Sequence, residues 1–154
     1  TSVQNIGRMR SRGIEGEVNL TDVWTPGLDL QASVAFNDAR TLDDRQYPLA
    51  KGRYFPRIPK NRASVFADYR FAPQWDASLG IRHSGRQYGT LNNSDFVNTY
   101  GAVSSFTVAD AKLRWKFAAG WSAALGVDNL TNERYWVYHP YAGRTWFGEL
   151  RWEL

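Results

Sequence analysis

Charged side chains recur at every second position along much of this chain. Glu15 and Glu17 begin the series, followed by Asp29, then Arg62, Asp68 and Arg70, then Asp76 and Arg82. Asp110, Lys112, Arg114 and Asp128 continue it, and Glu149 and Arg151 close it. Paired carboxylates can serve acid–base catalysis where two converge on one reacting atom. Here acids and bases are spread along every segment in alternation, which points away from an enzyme and predicts no catalytic residue. Two other uses fit the spacing. Opposite charges facing each other across strands form ion pairs that keep a wet wall soluble. Arginine can also anchor a docked polar partner through charge-assisted hydrogen bonds.

The other chemistry-bearing residues are few. His83 and His139 are the only histidines and lack metal-ligand spacing. With no cysteine present, a thiolate site and a disulfide scaffold are both excluded, and an oxidising compartment fits. No resident metal or cofactor is expected. A second group is aromatic: Tyr47, Tyr54, Phe55, Tyr88, Tyr100, Tyr135, Trp136, Tyr138 and Tyr141, with Arg57 and Arg144 among them. Rings beside guanidinium groups suit an anionic, aryl-bearing ligand through stacking and ion pairing. Part of this set can equally form an interfacial aromatic belt.

The elements that must carry these residues have period two. Ala63, Val65, Ala67, Tyr69 and Phe71 alternate with Arg62, Ser64, Asp68 and Arg70; Ala109, Ala111, Leu113, Trp115 and Phe117 alternate with Asp110, Lys112, Arg114 and Lys116. Such alternation specifies strands with one apolar and one polar face. Seven are expected, at about 5–24, 28–41, 58–71, 75–88, 105–117, 121–135 and 143–154, forming an all-β, antiparallel up-and-down meander. Short connections (25–27, 72–74, 118–120) alternate with long ones (about 42–57, 89–104, 136–142), so tight turns gather at one end and long loops at the other.

Which solvent meets the apolar face follows from three features. The strands run to about 12–14 residues, where soluble strands average about 5–6 and a tilted membrane strand needs about 9–11. The aromatics Trp24, Phe71, Trp75, Phe117, Trp121 and Trp152 sit beside the tight turns or the end of the chain, with Ala, Val, Leu and Ile between. Aromatic rings favour the headgroup level, where one edge is wet and the body dry; FAPQW (71–75) and FAAGW (117–121) then moor two hairpins to one interface. The loop asymmetry is that of outer-membrane barrels. Mean hydropathy of −0.51 and the absence of a long apolar run exclude a helical membrane protein. The net charge of +4 permits an acidic partner. Arg8, Arg10 and Arg12, alternating on one strand, read as a solvated or lipopolysaccharide-facing edge rather than a nucleic-acid patch. Seven strands leave two bare edges that lipid cannot satisfy, so the chain is expected to be part of a larger barrel, at its C-terminal end. The first residue is Thr1 and no apolar signal segment follows, which predicts that targeting information has been cut away.

Several segments resemble TonB-dependent outer-membrane receptors. Gly13-Ile14-Glu15 with Glu17, the Pro-Gly turn and LDLQASVAFNDAR resemble a late hairpin of that family. IPKNRASVFADYRF (58–71), with Pro59 and Asp68-Tyr69, resembles the following strand, and LGIRHSGRQYG (79–89) the one after it. GVDNLTNERY (126–135), with Asn129-Leu130 and Tyr135, is the most specific match, and GRTWFGELRWEL resembles the closing strand. The family usually ends in an aromatic residue, whereas this chain ends in Leu154.

The resemblance implies a segment of a transmembrane β-barrel of roughly 22 strands around its own plug domain. It implies residence in the outer membrane of a Gram-negative bacterium, amid outer-membrane lipid and lipopolysaccharide. The implied activity is import of a scarce nutrient, above all a ferric siderophore, energised by the TonB complex. Plug and TonB box are expected outside residues 1–154, which would form about the last third of the barrel. Tyr88, Tyr100, Tyr135, Trp136, Tyr138, His139 and Arg144 are the expected ligand-facing set; Arg62, Asp68, Arg82, Asp110, Arg114, Glu149 and Arg151 are expected to face the plug. Two other functions compete: a soluble β-sheet module binding carbohydrate or single-stranded nucleic acid, and a general porin without a plug.

The 154-residue chain expressed alone, with its edges and apolar face uncovered, is expected to aggregate in detergent-free buffer. A single monodisperse peak in size-exclusion chromatography without detergent would contradict the membrane assignment.

Overall fold

A computed structural model describes residues 7–153. Leu154 and the first two positions of the expected opening strand (5–24) lie outside the described residues. The architecture is one seven-stranded antiparallel sheet, in the order β1 (Arg8–Leu20), β2 (Leu28–Asp43), β3 (Asn61–Ala72), β4 (Trp75–Ser84), β5 (Phe106–Ala118), β6 (Trp121–Asp128) and β9 (Thr145–Trp152). Neighbours in sequence are neighbours in space, as an up-and-down meander requires. The last long loop adds a two-residue ribbon, β7 (Trp136–Val137) with β8 (His139–Pro140), where an irregular loop is expected from sequence.

The registers keep each alternating pattern on one face. Ile14 faces Phe36, Val34 faces Ala63, Val65 faces Ile81, Leu79 faces Ala111 and Leu113 faces Leu125. A slip of one residue would turn a whole row to the opposite side. The apolar face has no second layer among the described residues. Ile14 is 73% exposed and Leu150 66%. A soluble sandwich buries these positions; a sheet in hydrocarbon does not.

Several strand ends differ from the expectation, two of them for a visible local reason. β1 stops at Leu20 rather than residue 24 because Asp22 and Trp24 take left-handed backbone angles (φ 53° and 62°). The Asp22 carboxylate accepts the Gly27 amide at 2.6 Å, closing a wider turn than Pro26-Gly27 suggests. β6 ends at Asp128 rather than 135 because Asn129 turns left-handed (φ 52°). β4 ends at Ser84 rather than 88, and β3 starts at Asn61 rather than 58. The turn glycines Gly27 and Gly120 have φ of 86° and 72°, and a β-carbon on either would press on a backbone oxygen of the adjoining strand. Only glycine meets both demands without strain.

Two glycines of the polar face carry a phenyl ring instead of a side chain. Phe66 faces Gly80, and Phe147 faces Gly126. A β-carbon on Gly126 would lie 2.1 Å from the Phe147 ring. Aromatic cover of a strand glycine pins register. Gly126→Ala in the full-length barrel is expected to cost about 1–3 kcal/mol by overpacking. In a Phe147→Ala background the same change should cost under about 1 kcal/mol; denaturant midpoints in detergent provide the check.

Candidate functional site

Three regions gather the chemistry: a belt of rings at the tight turns, an ionic wall on the other face, and a loop cluster at the far end. The belt comes from outward positions of consecutive strands. Ring contacts run from Tyr69 to Phe71 (5.9 Å), Trp75 (6.5 Å), Trp115 (5.6 Å), Phe117 (5.4 Å), Trp121 (6.4 Å) and Trp152 (6.0 Å). Tyr69 and Trp115 thus join five of the rings singled out in the sequence. Trp24 stands apart in its turn, 87% exposed. At the opposite limit of the apolar face the boundary is polar. His83 shares hydrogen bonds with Asn61 (3.3 Å) and Thr107 (2.8 Å), linking three strands.

The ionic wall is largely self-paired. Arg82 binds Asp110 at 2.7 Å, Lys112 binds Glu149 at 2.7 Å, and Arg70 binds Asp29 at 2.7 Å. Asp76 takes both Arg114 (2.6 Å) and Lys116 (3.3 Å). Arg151 pairs with Glu153, and Asp68 accepts the Ser78 hydroxyl at 2.5 Å. Of the seven residues expected to face a plug, only Arg62 has neither an ion pair nor a side-chain hydrogen bond among the described residues. It lines a shallow depression with Glu15 and Glu17. Carboxylates and cations meet in pairs across strands, an arrangement that satisfies charge on a wet wall.

The long loops fold onto one another. The Tyr54 amide donates to Asn93 Oδ1 at 2.7 Å, and Asn93 Nδ2 returns a bond to the Tyr54 carbonyl at 2.9 Å. The Gly101 amide donates to the Tyr138 carbonyl (2.7 Å), the Tyr138 amide to Ala102 (2.8 Å), and the Ser104 amide to Trp136 (2.9 Å). Backbone bonds of this kind bring the expected ligand-facing residues into separate groups. Tyr88 stacks on Tyr54 with centroids 5.9 Å apart. Arg40 and Lys60 approach the Tyr54 ring at 4.3 and 3.9 Å, and Arg86 approaches Tyr88 at 4.6 Å. Tyr100 meets Trp136 edge-on at 5.1 Å, and Arg57 lies 5.5 Å from the Tyr138 ring. Tyr135 is only 4% exposed, held between Phe106 (4.2 Å) and Tyr141 (4.9 Å). Burial, then the neighbouring Tyr141, holds its phenol above the ordinary tyrosine value. His139 is exposed, with Nδ1 at 3.3 Å from the Pro140 carbonyl. Arg144 Nε donates to the Leu130 carbonyl at 2.9 Å, tying the end of the loop to its beginning.

Lys60, Arg86 and Arg40 escape sequence reasoning because loop folding, not spacing, brings them to Tyr54 and Tyr88. Asn129 escapes it too, although the motif around it is conspicuous. Buried to 4% exposure, it donates its amide to Asp110 (2.8 Å). Its side chain donates to the Glu133 (2.9 Å) and Ala142 (3.2 Å) carbonyls and accepts the Glu133 amide (2.8 Å). Asparagine tolerates the left-handed backbone and supplies donor and acceptor together.

A family profile described as "TonB dependent receptor-like, beta-barrel" matches residues 1–130. The chain is 34% identical over 137 residues to the ferrichrome outer membrane transporter/phage receptor of Escherichia coli K12, covering 84% of this chain and 17% of the transporter. It is 29% identical over 143 residues to the ferrioxamine B receptor of Salmonella typhimurium, covering 86% of this chain and 18% of the receptor. The crystal structure of the siderophore receptor PiuA from Acinetobacter baumannii superposes with a TM-score of 0.73 at 21% identity, over 91% of this chain and 20% of that one. The chain belongs to the TonB-dependent receptor β-barrel family. That places it in the outer membrane of a Gram-negative bacterium, in a family of transport receptors rather than enzymes. The soluble binding module and the general porin find no support. The chain spans under a fifth of the length of either relative.

Asn129→Ala is expected to destabilise the full-length barrel by about 2 kcal/mol, through unpaired backbone groups and a strained turn. Proteolysis should then cut between residues 130 and 144. Asn129→Gly, which relieves only the backbone, should recover about 1 kcal/mol or less.

Proposed function

We propose that these strands are the C-terminal part of a plugged barrel that binds a ferric siderophore at its loop end and imports it with energy from the TonB complex. The observation that carries the reading is the Tyr54–Tyr88 stack with Arg40, Lys60 and Arg86 around it. Lys60 and Arg86 have no ion pair among the described residues, so an anionic chelate gains charge neutralisation together with ring contact. Tyr100, Trp136 and Tyr138 supply further rings, with His139 and Arg144 at the loop's far side. The relatives' names, ferrichrome transporter and ferrioxamine B receptor, support an iron-chelate cargo.

The ionic face suits a plug. Its internal pairs hold most charges in fixed positions, while Arg62, unpaired among the described residues, suits a carboxylate on the plug. On this reading the plug and the TonB box are parts of the full-length protein.

The test is uptake of labelled ferric siderophores by cells whose only such receptor is the full-length protein. Uptake should cease when TonB is deleted. Arg86→Ala with Tyr88→Ala should weaken binding of the transported chelate by about threefold to tenfold, with receptor abundance unchanged. Uptake that persists without TonB would overturn the energised-transport reading.

A further inference from the structure

A short turn in the second long loop, residues 90–95, supports the rings and cations of the cargo site without supplying any of them. Its own side chains close it. Asp95 Oδ1 accepts the Thr90 hydroxyl at 2.8 Å and the Thr90 amide at 3.3 Å, and Thr90 Oγ1 accepts the Ser94 amide at 3.1 Å. The closed turn then holds two groups of the site. One is Arg86, whose Nη2 donates to the Asp95 carbonyl at 2.7 Å. A carbonyl fixes a guanidinium without cancelling its charge, while the Asp95 carboxylate is engaged by Thr90 instead.

The other group is Tyr54. Asn93 Oδ1 accepts the Tyr54 amide at 2.7 Å, and Asn93 Nδ2 donates to the Tyr54 carbonyl at 2.9 Å. One side-chain amide thus gives Tyr54 the acceptor and donor that a neighbouring strand would give. Nδ2 also donates to the Thr90 carbonyl at 3.2 Å, so both of its protons are used on backbone. The Asn93 backbone is left-handed (φ 56°), which asparagine tolerates. The Arg57 amide donates to the Tyr88 carbonyl at 2.9 Å. That bond fixes Tyr88 and the Asn93 pair fixes Tyr54, leaving the two rings 5.9 Å apart and within 9° of parallel.

We propose that Asn93 is a positioning residue for cargo binding, which sets the Tyr54 ring against Tyr88 and makes no contact of its own with the chelate. The role rests on the cargo reading given above. Because residues 90–95 are closed through Thr90, Ser94 and Asp95, loss of the Asn93 side chain should release Tyr54 and leave Arg86 in place. Glycine is the informative replacement, since it keeps the left-handed backbone unstrained and removes only the amide.

The test uses the purified full-length receptor in detergent, titrated with iron(III) tris(catecholate), an anionic, aryl-bearing chelate. Tyr54→Ala should weaken binding by about tenfold, and Asn93→Gly by about threefold to tenfold. In a Tyr54→Ala receptor, Asn93→Gly should add less than about twofold, because no ring remains to be placed. Uptake of the radiolabelled chelate by cells carrying Asn93→Gly should show a raised KM and an unchanged Vmax, whereas general loosening of the protein would lower Vmax. In the wild type, the Tyr54 amide should be protected from deuterium exchange, a measurement that needs no variant. Unchanged affinity in Asn93→Gly, a loss that adds in full to that of Tyr54→Ala, a fall in Vmax at unchanged KM, or an unprotected Tyr54 amide would each overturn the role. A Tyr54→Ala receptor that binds as the wild type does, or a wild type that does not take the chelate, would overturn the cargo reading itself, and the role with it.

Discussion

Hydrocarbon offers no hydrogen-bond partner, and every other feature of this sheet depends on that. Each backbone amide in the bilayer must pair with a neighbouring strand, and each outward side chain must be apolar. The meander from β1 to β9 meets the first demand for all but its two edges. The registers meet the second by keeping Val, Leu, Ile and Ala in rows from strand to strand. A face that would aggregate in water is then the face that holds the protein in place.

The same alternation gives the inner wall its ionic character, since every apolar outward residue has a neighbour that points inward. Cross-strand pairs such as Arg82–Asp110 and Arg114–Asp76 keep that wall internally satisfied. Exposed pairs of this kind contribute little stability each. Their effect is to hold the charged side chains of the wall in fixed positions. The two ends of the barrel differ in kind. Rings in contact from Tyr69 to Trp152 mark the tight-turn side, while a polar line through Asn61, His83 and Thr107 marks the loop side. The loops beyond that line have a small core of their own, with Ala102, Val103 and Tyr135 buried. Loops cross-linked in this way are ordered in advance, which lowers the cost of binding any ligand they take.

Local periodicity determined much of this protein without any structure. Alternation in segments such as 61–72 and 106–118 set the strands, their two faces and the antiparallel order, because side-chain direction along a strand is a strictly local property. Aromatic residues beside the turns announced the solvent. Strand ends were less legible: Asp22, Trp24 and Asn129 leave the strand through left-handed backbone angles that the apolar pattern does not record. Tertiary structure alone decided which loop residues meet. Tyr54 and Tyr88 lie 34 positions apart, and their stack with Arg40, Lys60 and Arg86 depends on two loops pairing through Asn93. It also buried Tyr135 while leaving Tyr100 exposed. Contacts between distant segments are fixed by loop closure and packing, and neither leaves a period in the chain.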